Sequence, residues 1–401
     1  MITASRQRTL AWKIALSGVL AMSVALGIGR FAFSPLLPMM LHDHSINLTE
    51  GGWLATSNYI GYFLGALSCM LIRAEPVRMI RAGLIATVAT TLAMGCTTSL
   101  ELLLLFRCLA GIASAWVFVF TSGWSMQRLS QLGAPALAGL VFTGPGIGIL
   151  FTGIPVSLMV AAGWSAQQGW LMFAFMGLLL TTLIWNTLGN VPEATRPTQT
   201  SAKIASTPAL SDRQRQFEIR WLIPGYGLAG LGYIITATFL PVMAKLTLPH
   251  SPWPELFWPM LGLSIAIGAA LTTRVPVHIS NHWMLVLCYL TQALGVVCVI
   301  FMPDVSGFIC TSILVGLPFS AIVFFAMREA RRLNTGSANH LMGLLTAVYG
   351  IGQISGPPLA TWLVSVSGSF NSALAVAGGA LLAGGVIFLM LALTNQSPEH
   401  G

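Results

Sequence analysis

The sequence predicts an all-α membrane protein with twelve transmembrane helices, arranged as two parallel six-helix pseudo-repeats. Of its 401 residues, 55% are hydrophobic and only 7% are charged, whereas a soluble domain averages about 25% charged residues. Its mean hydropathy is +0.80, and apolar windows of about 20 residues, long enough to cross a bilayer, recur along the chain. Such a chain has too few polar residues to cover a surface that faces water.

Twelve apolar windows define the predicted helices. Their approximate bounds are 14–40, 52–72, 78–97, 100–126, 135–162, 168–189, 221–245, 256–274, 282–302, 306–328, 340–365 and 371–394. The first window is longer than a signal-peptide core of about 7–15 residues, so we expect an uncleaved first helix. Residues 191–220, rich in Pro, Ser, Thr and charge, predict a cytoplasmic linker between an N-terminal bundle (1–190) and a C-terminal bundle (221–401).

The positions of the basic residues predict the orientation. With the N-terminus in the cytoplasm, sixteen of the 19 Lys and Arg residues fall on the cytoplasmic side. Lys245 falls outside, and Arg30 and Arg107 fall within helices. Because Lys and Arg concentrate in cytoplasmic loops, both termini are expected in the cytoplasm. A bacterial inner (plasma) membrane is the expected location. The positions of the basic residues, and not the net charge of +8 itself, therefore carry the information, and they indicate orientation in the membrane. We expect no nucleic-acid partner.

Matching residues recur at a nearly constant offset in corresponding helices of the two halves. The offset is 203 in helices one and two, 204 in helix five and 205 in helix four. The pairs are Gly29 with Gly232, Pro38 with Pro241, Gly65 with Gly268, Gly111 with Gly316, and GLVFTGPGIG from Gly139 with GLLTAVYGIG from Gly343. Since each half has an even number of helices, the halves have the same orientation, related by an axis along the membrane normal.

Two six-helix halves joined by a charged linker resemble the major facilitator superfamily, and local motifs extend the resemblance over nearly the whole chain. RCLAGIASA, from Arg107, resembles its R-x-x-x-G-x-x-x-A signature, and GPGIG, from Gly144, resembles its Gly-Pro kink motif. The loop after the second helix lacks the usual Asp-Arg core. GIGRFAFSPLLP and YGIGQISGPPLA are similar to the YbfB/YjiJ-like branch. The resemblance implies a central cavity lined by helix one.

Arg30 places a positive charge inside the first predicted helix, and no acidic residue lies in the middle of any helix. An arginine at membrane depth costs at least about 2.5 kcal/mol and normally faces the protein interior or a water-filled cavity. One hypothesis is that Arg30 attracts an anionic or carboxylate-bearing substrate. The alternatives are that it binds backbone carbonyls freed near Pro35, or that it meets Glu50 or Glu101 near the outer face.

Other polar and aromatic side chains within the helices are candidates for the cavity. Tyr233 is the counterpart of Arg30 in the repeat, and the amide of Gln353 needs hydrogen-bond partners inside a helix. For the aromatic residues, a packing or interfacial role is the alternative. The full set is Arg30, Asn58, Tyr62, Trp116, Tyr233, Thr236, Tyr349 and Gln353.

Coupling to protons would need titratable groups. Arg107 is either a structural arginine held by polar backbone or, as the resemblance implies, a residue linked to proton movement. Glu50, Glu101 and Glu329 are the carboxylates that would titrate against an arginine if coupling exists.

Glycines and prolines predict where helices approach or bend. Gly144 with Gly148, and Gly352 with Gly356, form small-xxx-small faces that would let the halves rock against each other or would simply pack. The prolines expected to bend helices around the cavity include Pro38, Pro145 and Pro241.

These observations predict a secondary active transporter of a small molecule. The charge of Arg30 favours an organic anion as the substrate. We expect alternating access, proton coupling, a monomer in the lipid bilayer, and no metal or cofactor. The sequence contains no GK[ST], HExxH or GxSxG motif, so we expect neither a built-in ATPase nor another enzyme. The alternatives are an uncoupled facilitator, or a membrane-embedded enzyme or sensor on a transporter scaffold.

Overall fold

The computed structural model describes residues 4–71, 74–189, 211–276, 278–333 and 338–394, and these residues are almost entirely helical. A π-helical segment, Ser23–Phe31, which we call the π segment, joins the first two helices, and a 3-10 turn spans Pro135–Leu137. The helices are α1 (Ala4–Met22), α2 (Phe33–His42), α3 (Leu48–Leu71), α4 (Pro76–Gly95), α5 (Leu100–Gln131), α6 (Ala138–Val141), α7 (Gly144–Ala161), α8 (Ala166–Gly189), α9 (Asp212–Thr247), α10 (Pro254–Thr272), α11 (Asn281–Phe301), α12 (Val305–Gly316), α13 (Phe319–Leu333), α14 (Ala338–Ser367) and α15 (Asn371–Thr394).

Each predicted window coincides with a long helix or with a continuous run of helices. Within the described residues, ten such segments are long and apolar enough to cross a membrane. Helices α3 and α14, of 24 and 30 residues, have the length to cross as well but are not among the ten. The all-α membrane class is thus confirmed, while the number twelve stays a prediction.

Helix α9 begins earlier than the apolar window that predicted it. The Ser211 side chain accepts a hydrogen bond from the N–H of Gln214, and Asp212 lies in the first turn. A capping serine and an acidic residue both stabilise a helix N-terminus. The last part of the predicted linker is therefore the polar start of α9, and residues 191–210 lie outside the described part of the chain.

The helices pack into two groups, α1–α8 and α9–α15. In the first group α5 packs on α3 and α4, and in the second α9 packs on α14 and α15. Equivalent glycines make equivalent contacts: a Cβ on Gly65 would lie 2.7 Å from the backbone of Ile112, and Gly268 abuts the backbone of Leu317 in the same way. The same close helix contact therefore recurs about 200 residues later.

Contacts between the two groups include those of α3 with α14, α7 with α10, and α2 with α9. A Cβ on Gly146 of α7 would lie 2.6 Å from the carbonyl of Gly262, and one on Gly153 would lie 2.6 Å from the ring of Pro259. The hydroxyl of Thr56 donates to the carbonyl of Ile354 at 3.2 Å across the α3–α14 contact. Tight backbone packing therefore holds α7 against α10.

Of the two roles given for the glycine faces, close helix packing is observed, and it occurs within each half. Gly144 and Gly148 pack against α1 and the π segment, and Gly352 and Gly356 pack against α9. Gly146, two residues from either glycine of the first pair, points to the opposite side of α7. That opposite side meets the other half.

The prolines differ in their positions. Pro145 lies in the first turn of α7, where its missing N–H is not needed, so it begins a helix and does not bend one. Pro38 and Pro241 lie inside α2 and α9, where a proline does interrupt helical hydrogen bonding.

Candidate functional site

The backbone around Arg30 is irregular, and its carbonyl groups need partners. Arg30 is the penultimate residue of the π segment, whose nine residues are all buried. In a π-helix the carbonyl of residue 30 would accept from the N–H of residue 35, but Pro35 has no N–H. The close contact between Gly27 and Gly148 brings α7 against the segment, with 2.6 Å between a Cβ on Gly27 and the Gly148 backbone. The segment is thus enclosed by helices while its own hydrogen bonds are incomplete.

Arg107 supplies the missing donors. Its Nη2 donates to the carbonyl of Arg30 at 3.1 Å, its Nη1 to that of Gly29 at 3.3 Å, and its Nε to that of Leu54 at 3.4 Å. Asn58 adds a bond from Nδ2 to the carbonyl of Arg107 at 2.9 Å. Arg107 is 2% exposed. These contacts support the structural interpretation of Arg107, and its link to proton movement stays a prediction.

The guanidinium of Arg30 is enclosed by aromatic rings. It is 5% exposed, and its Cζ lies 4.3 Å from the ring centroid of Tyr62, 5.0 Å from that of Tyr59 and 5.3 Å from that of Phe31. Its Nε and Nη2 are buried and have no hydrogen-bond partner. These two nitrogens form one edge of the planar fork, with their N–H groups parallel. Arg30 therefore faces the interior with an unused pair of donors.

Neither alternative partner predicted for Arg30 is observed among the described residues. The carbonyls near Pro35 bind Arg107, as described above. Glu50 accepts from the N–H of Asn47 at 2.8 Å, and Glu101 accepts from the hydroxyl of Ser99 at 2.9 Å. Both carboxylates therefore bind polar groups at the start of their own helices.

The second half contributes an aromatic wall to the same region. Tyr233 and Tyr349 both interact electrostatically with Arg30, and their rings stack with centroids 5.8 Å apart. Tyr226 also stacks with Tyr349, with ring centroids 4.7 Å apart. The Nε2 of Gln353 donates to the hydroxyl of Tyr233. Tyr233, the repeat counterpart of Arg30, thus lies beside it and accepts a hydrogen bond from the amide of Gln353.

An aromatic residue links the two halves at this point. The ring centroid of Phe319 lies 4.9 Å from that of Tyr233 and 6.4 Å from that of Phe31. Phe31 also contacts Trp258, with ring centroids 6.5 Å apart. Phe319 and Trp258 were not among the predicted site residues, because an apolar helix gives no signal of which ring faces inward.

The remaining predicted cavity residues have other surroundings. The indole of Trp116 donates to the hydroxyl of Ser68 at 2.8 Å, and no contact joins it to Arg30 in the described structure. The hydroxyl of Thr236, on α9, is buried without a hydrogen bond. Asn58 holds backbone carbonyls, as noted above. Among the predicted residues, the structure therefore brings together Arg30, Tyr62, Tyr233, Tyr349 and Gln353.

A cavity of about 390 Å³ lies between the halves, at the ends of α2, α7 and α9 and the start of α10. Pro38, Pro241 and Trp258 line it, and Trp258 connects it to Phe31. At its mouth Lys245 and Glu255 form an ion pair at 2.6 Å. The cavity thus reaches from the bundle end towards the aromatic surroundings of Arg30.

A second buried polar cluster lies at the opposite end of the second half. Glu329 is 1% exposed and contacts Asn281, His282 and Arg332, and the cluster also contains Glu218. Glu218 was assigned to the linker, since the polar start of α9 resembles a loop. The spacing of Glu329 and Arg332, three residues apart on one helix face, was the available signal.

Comparisons with known proteins add the family and the fold. Residues 22–389 match the model of a family described as "Uncharacterised MFS-type transporter YbfB". A solved structure of a mutant nucleoside transporter NupG is similar, with a TM-score of 0.72 and 13% sequence identity over 95% of this chain and 99% of that chain. At this identity the likeness shows the fold alone. No curated protein matches.

Proposed function

The chain belongs to the family of YbfB-like MFS-type transporters, and from this premise we propose that it carries a small organic anion by alternating access, coupled to protons. Membrane transport follows from the family and from the all-α membrane fold. The substrate class, the coupling and the mechanism are the parts that we add. We also propose that it works as a monomer in a bacterial inner membrane, with cytoplasmic termini and six-helix bundles 1–190 and 221–401 joined by a linker within 191–220.

The observation that carries this proposal is the unused edge of the Arg30 guanidinium. A buried charge is costly unless it is paired, and two buried N–H groups without acceptors add to that cost. An anion that binds Nε and Nη2 together would remove both penalties. A carboxylate matches this edge, because its two oxygens accept two parallel N–H bonds from an arginine.

The surroundings favour a substrate with an apolar body. The rings of Tyr59, Tyr62 and Phe31 surround the guanidinium, and the stacked Tyr233 and Tyr349 face it from the second half. Aromatic rings offer apolar surface together with polar hydroxyl groups. Because Arg107 is occupied by carbonyls, Arg30 is the cation that remains for a ligand at this site. A monocarboxylate with an apolar or aromatic group fits these features.

Arg30 and Tyr233 lie on different halves, which suits alternating access. A substrate that contacts both would be released when the halves separate on one side, and binding energy would favour the closed form. The cavity beside Trp258 offers one route of approach. Tight packing of α7 on α10 would serve as the contact about which the halves move.

The test is transport by purified protein in liposomes, using radiolabelled benzoate and other monocarboxylates with the matching neutral amides. Wild-type protein should move at least one carboxylate and exclude its amide. Arg30→Gln should abolish this uptake, and Arg30→Lys should retain a part, since lysine keeps the charge but not the fork. Arg81→Gln is the matched control, because Arg81 contacts Trp185 in the same half, away from the site. Normal uptake by Arg30→Gln would refute the substrate role.

An uncoupled facilitator is the second candidate. It is favoured by one observation: in the described chain no carboxylate contacts Arg30. A protonophore separates the two candidates. Accumulation that collapses on its addition supports coupling, whereas equilibration that is unaffected by it supports a facilitator.

A further inference from the structure

Four charged or titratable side chains from three helices meet in the interior of the second half. The Nη2 of Arg332 on α13 contacts the Oε2 of Glu218 on α9, and lies 2.6 Å from the Oε1 of Glu329. The Nε2 of His282, on α11, lies 3.9 Å and 3.6 Å from the same two oxygens. Asn281 donates from Nδ2 to the Oε2 of Glu329 at 2.6 Å. We call Glu218, His282, Glu329 and Arg332 the charge cluster.

The burial of this cluster sets it apart. Glu218 and Glu329 are each 1% exposed and His282 is 2% exposed. Every other carboxylate in the described ranges is at least partly exposed. Arg332 already supplies a cation shared by both carboxylates, and its side chain is 28% exposed. The cluster is therefore buried but has one connection to solvent.

The imidazole of His282 is placed to share a proton with the carboxylates. Its Nε2 lies within 4 Å of an oxygen of each, and a protonated imidazole adds one positive charge to a site that holds two carboxylates and one guanidinium. Charges at such short distances inside a protein interact strongly, so the electrostatic energy of this site changes with one proton. In such a compact set the proton belongs to the cluster as a whole.

Another charged group in the described part of the chain lies close to the cluster. On α13, Arg328 interacts electrostatically with Glu329 and donates to the carbonyl of Ile279 at 2.7 Å. Arg332, also on α13, is the nearest cation, and Asn281 on α11 is neutral. Both arginines oppose a positive charge on His282, and both carboxylates favour it.

Two helices connect the cluster to the site around Arg30. Helix α9 carries Glu218 near its start and Tyr233 fifteen residues later, roughly 22 Å along the axis. Helix α13 carries Glu329 near its end and Phe319 at its start. Tyr233 and Phe319 contact each other. A change of packing in the cluster would therefore act on the same two helices that form the aromatic wall.

We propose that the charge cluster binds one exchangeable proton from the solution at its end of the bundle, and that its occupancy sets the packing of α9, α11 and α13. If the chain transports as proposed above, on which this step rests, the transport rate then depends on the pH on the side of the membrane where α9 begins. Of the sequence-based candidates for coupling, Glu329 belongs to this cluster, and the proposal adds Glu218 and His282 to it.

The test is an NMR titration of histidine-labelled protein in lipid nanodiscs, which needs no substrate. The chain has seven histidines, and the signal of His282 is identified by its loss in His282→Gln. We expect this signal to shift along a one-proton curve as the pH is lowered. In Glu329→Gln or Glu218→Gln its midpoint should fall, because a negative neighbour is lost. In Arg332→Gln it should rise.

The control is His278→Gln, since His278 is exposed and lies just before α11 at the same end of the bundle. It should leave the His282 titration unchanged. A His282 signal that stays constant as the pH is lowered, or midpoints that move in neither direction in the variants, would overturn the proposal. In liposomes that transport benzoate, His282→Gln should remove the dependence of the rate on pH at that side. A failure to transport any probe bears on the proposed function alone, because the titration stands without it.

Discussion

Arg107 donates a hydrogen bond to the backbone carbonyl of Arg30, so that one buried arginine fixes the backbone that presents the other. The two side chains have the same chemistry and lie in the same half, yet their surroundings differ. Each guanidinium nitrogen of Arg107 donates to a carbonyl, whereas the Nε and Nη2 of Arg30 have no partner. This difference predicts opposite effects on stability and on function.

Replacing Arg107 should destabilise the protein, and replacing Arg30 should not. Arg107→Gln removes the side-chain donor to the buried carbonyl of Arg30, at about 1–3 kcal/mol for an unsatisfied group, whereas the carbonyl of Gly29 keeps a bond from Asn58. Arg30→Gln instead removes a buried charge without hydrogen bonds at its Nε and Nη2, so we expect equal or higher stability. Melting temperatures in detergent compare the two variants. A lower melting temperature for Arg30→Gln than for Arg107→Gln would contradict this assignment.

The ring of Tyr62 should contribute to holding Arg30 in place for its ligand. Its centroid is 4.3 Å from the Cζ of Arg30, and a cation–π contact in a desolvated site is worth about 0.5–2 kcal/mol. Tyr62→Leu should therefore raise the KM for a transported carboxylate by roughly 2–30-fold. Tyr62→Phe keeps the ring and should stay close to wild type. Equal losses in both variants would indicate that the hydroxyl, and not the ring, is needed.

The close contact of α7 with the π segment should not tolerate a methyl group. A Cβ on Gly148 would lie 2.7 Å from both the Cα of Gly27 and the carbonyl oxygen of Ser23, closer than real side chains approach backbone. Gly148→Ala should separate the helices and cost about 1–3 kcal/mol by overpacking.

The matched control for Gly148 is Gly123→Ala, because a Cβ on Gly123 in α5 meets nothing within 4 Å. There the same substitution should be neutral or stabilise by about 0.5–1 kcal/mol, since alanine favours a helix. Unfolding in denaturing detergent separates the two outcomes. A Gly148→Ala protein as stable as the wild type would show that the π segment can shift to accommodate the methyl group at little cost in free energy.

The sequence predicts the helices well for a physical reason. Apolar windows end where polar or capping residues begin, so their bounds lie close to those of the helices. Helices α1 and α9 are exceptions, because both begin with polar turns that precede their windows. In α9 these turns include Glu218 of the charge cluster. Composition alone assigned that segment to a loop, and Glu218 with it.

The site was predicted less completely, because its members meet through contacts between distant segments. That Arg107 and not Arg30 satisfies the carbonyls depends on contacts across about 77 residues. Similarly, Gly144 and Gly148 mark a close helix contact, but the spacing does not reveal which neighbour lies there. The burial of Arg30 was foreseeable from the cost of a charge in lipid, and its aromatic surroundings were only partly so.

A hydrogen bond between the halves should help to close the bundle at the end beside the cavity. The hydroxyls of Tyr59 on α3 and Thr238 on α9 lie 3.1 Å apart, and Tyr59 also contacts Arg30. Tyr59→Phe and Thr238→Val each remove this bond, worth about 1 kcal/mol, and should favour opening by roughly fivefold. Opening is measured by the rate at which a thiol reagent labels a cysteine placed at Val156, which lines the cavity, in a background without native cysteines. If the bond is the cause, the double variant should label no faster than either single variant, since the same interaction is lost. Additive rates would mean that each side chain acts through a separate contact, and unchanged rates would mean that this bond does not hold the halves together.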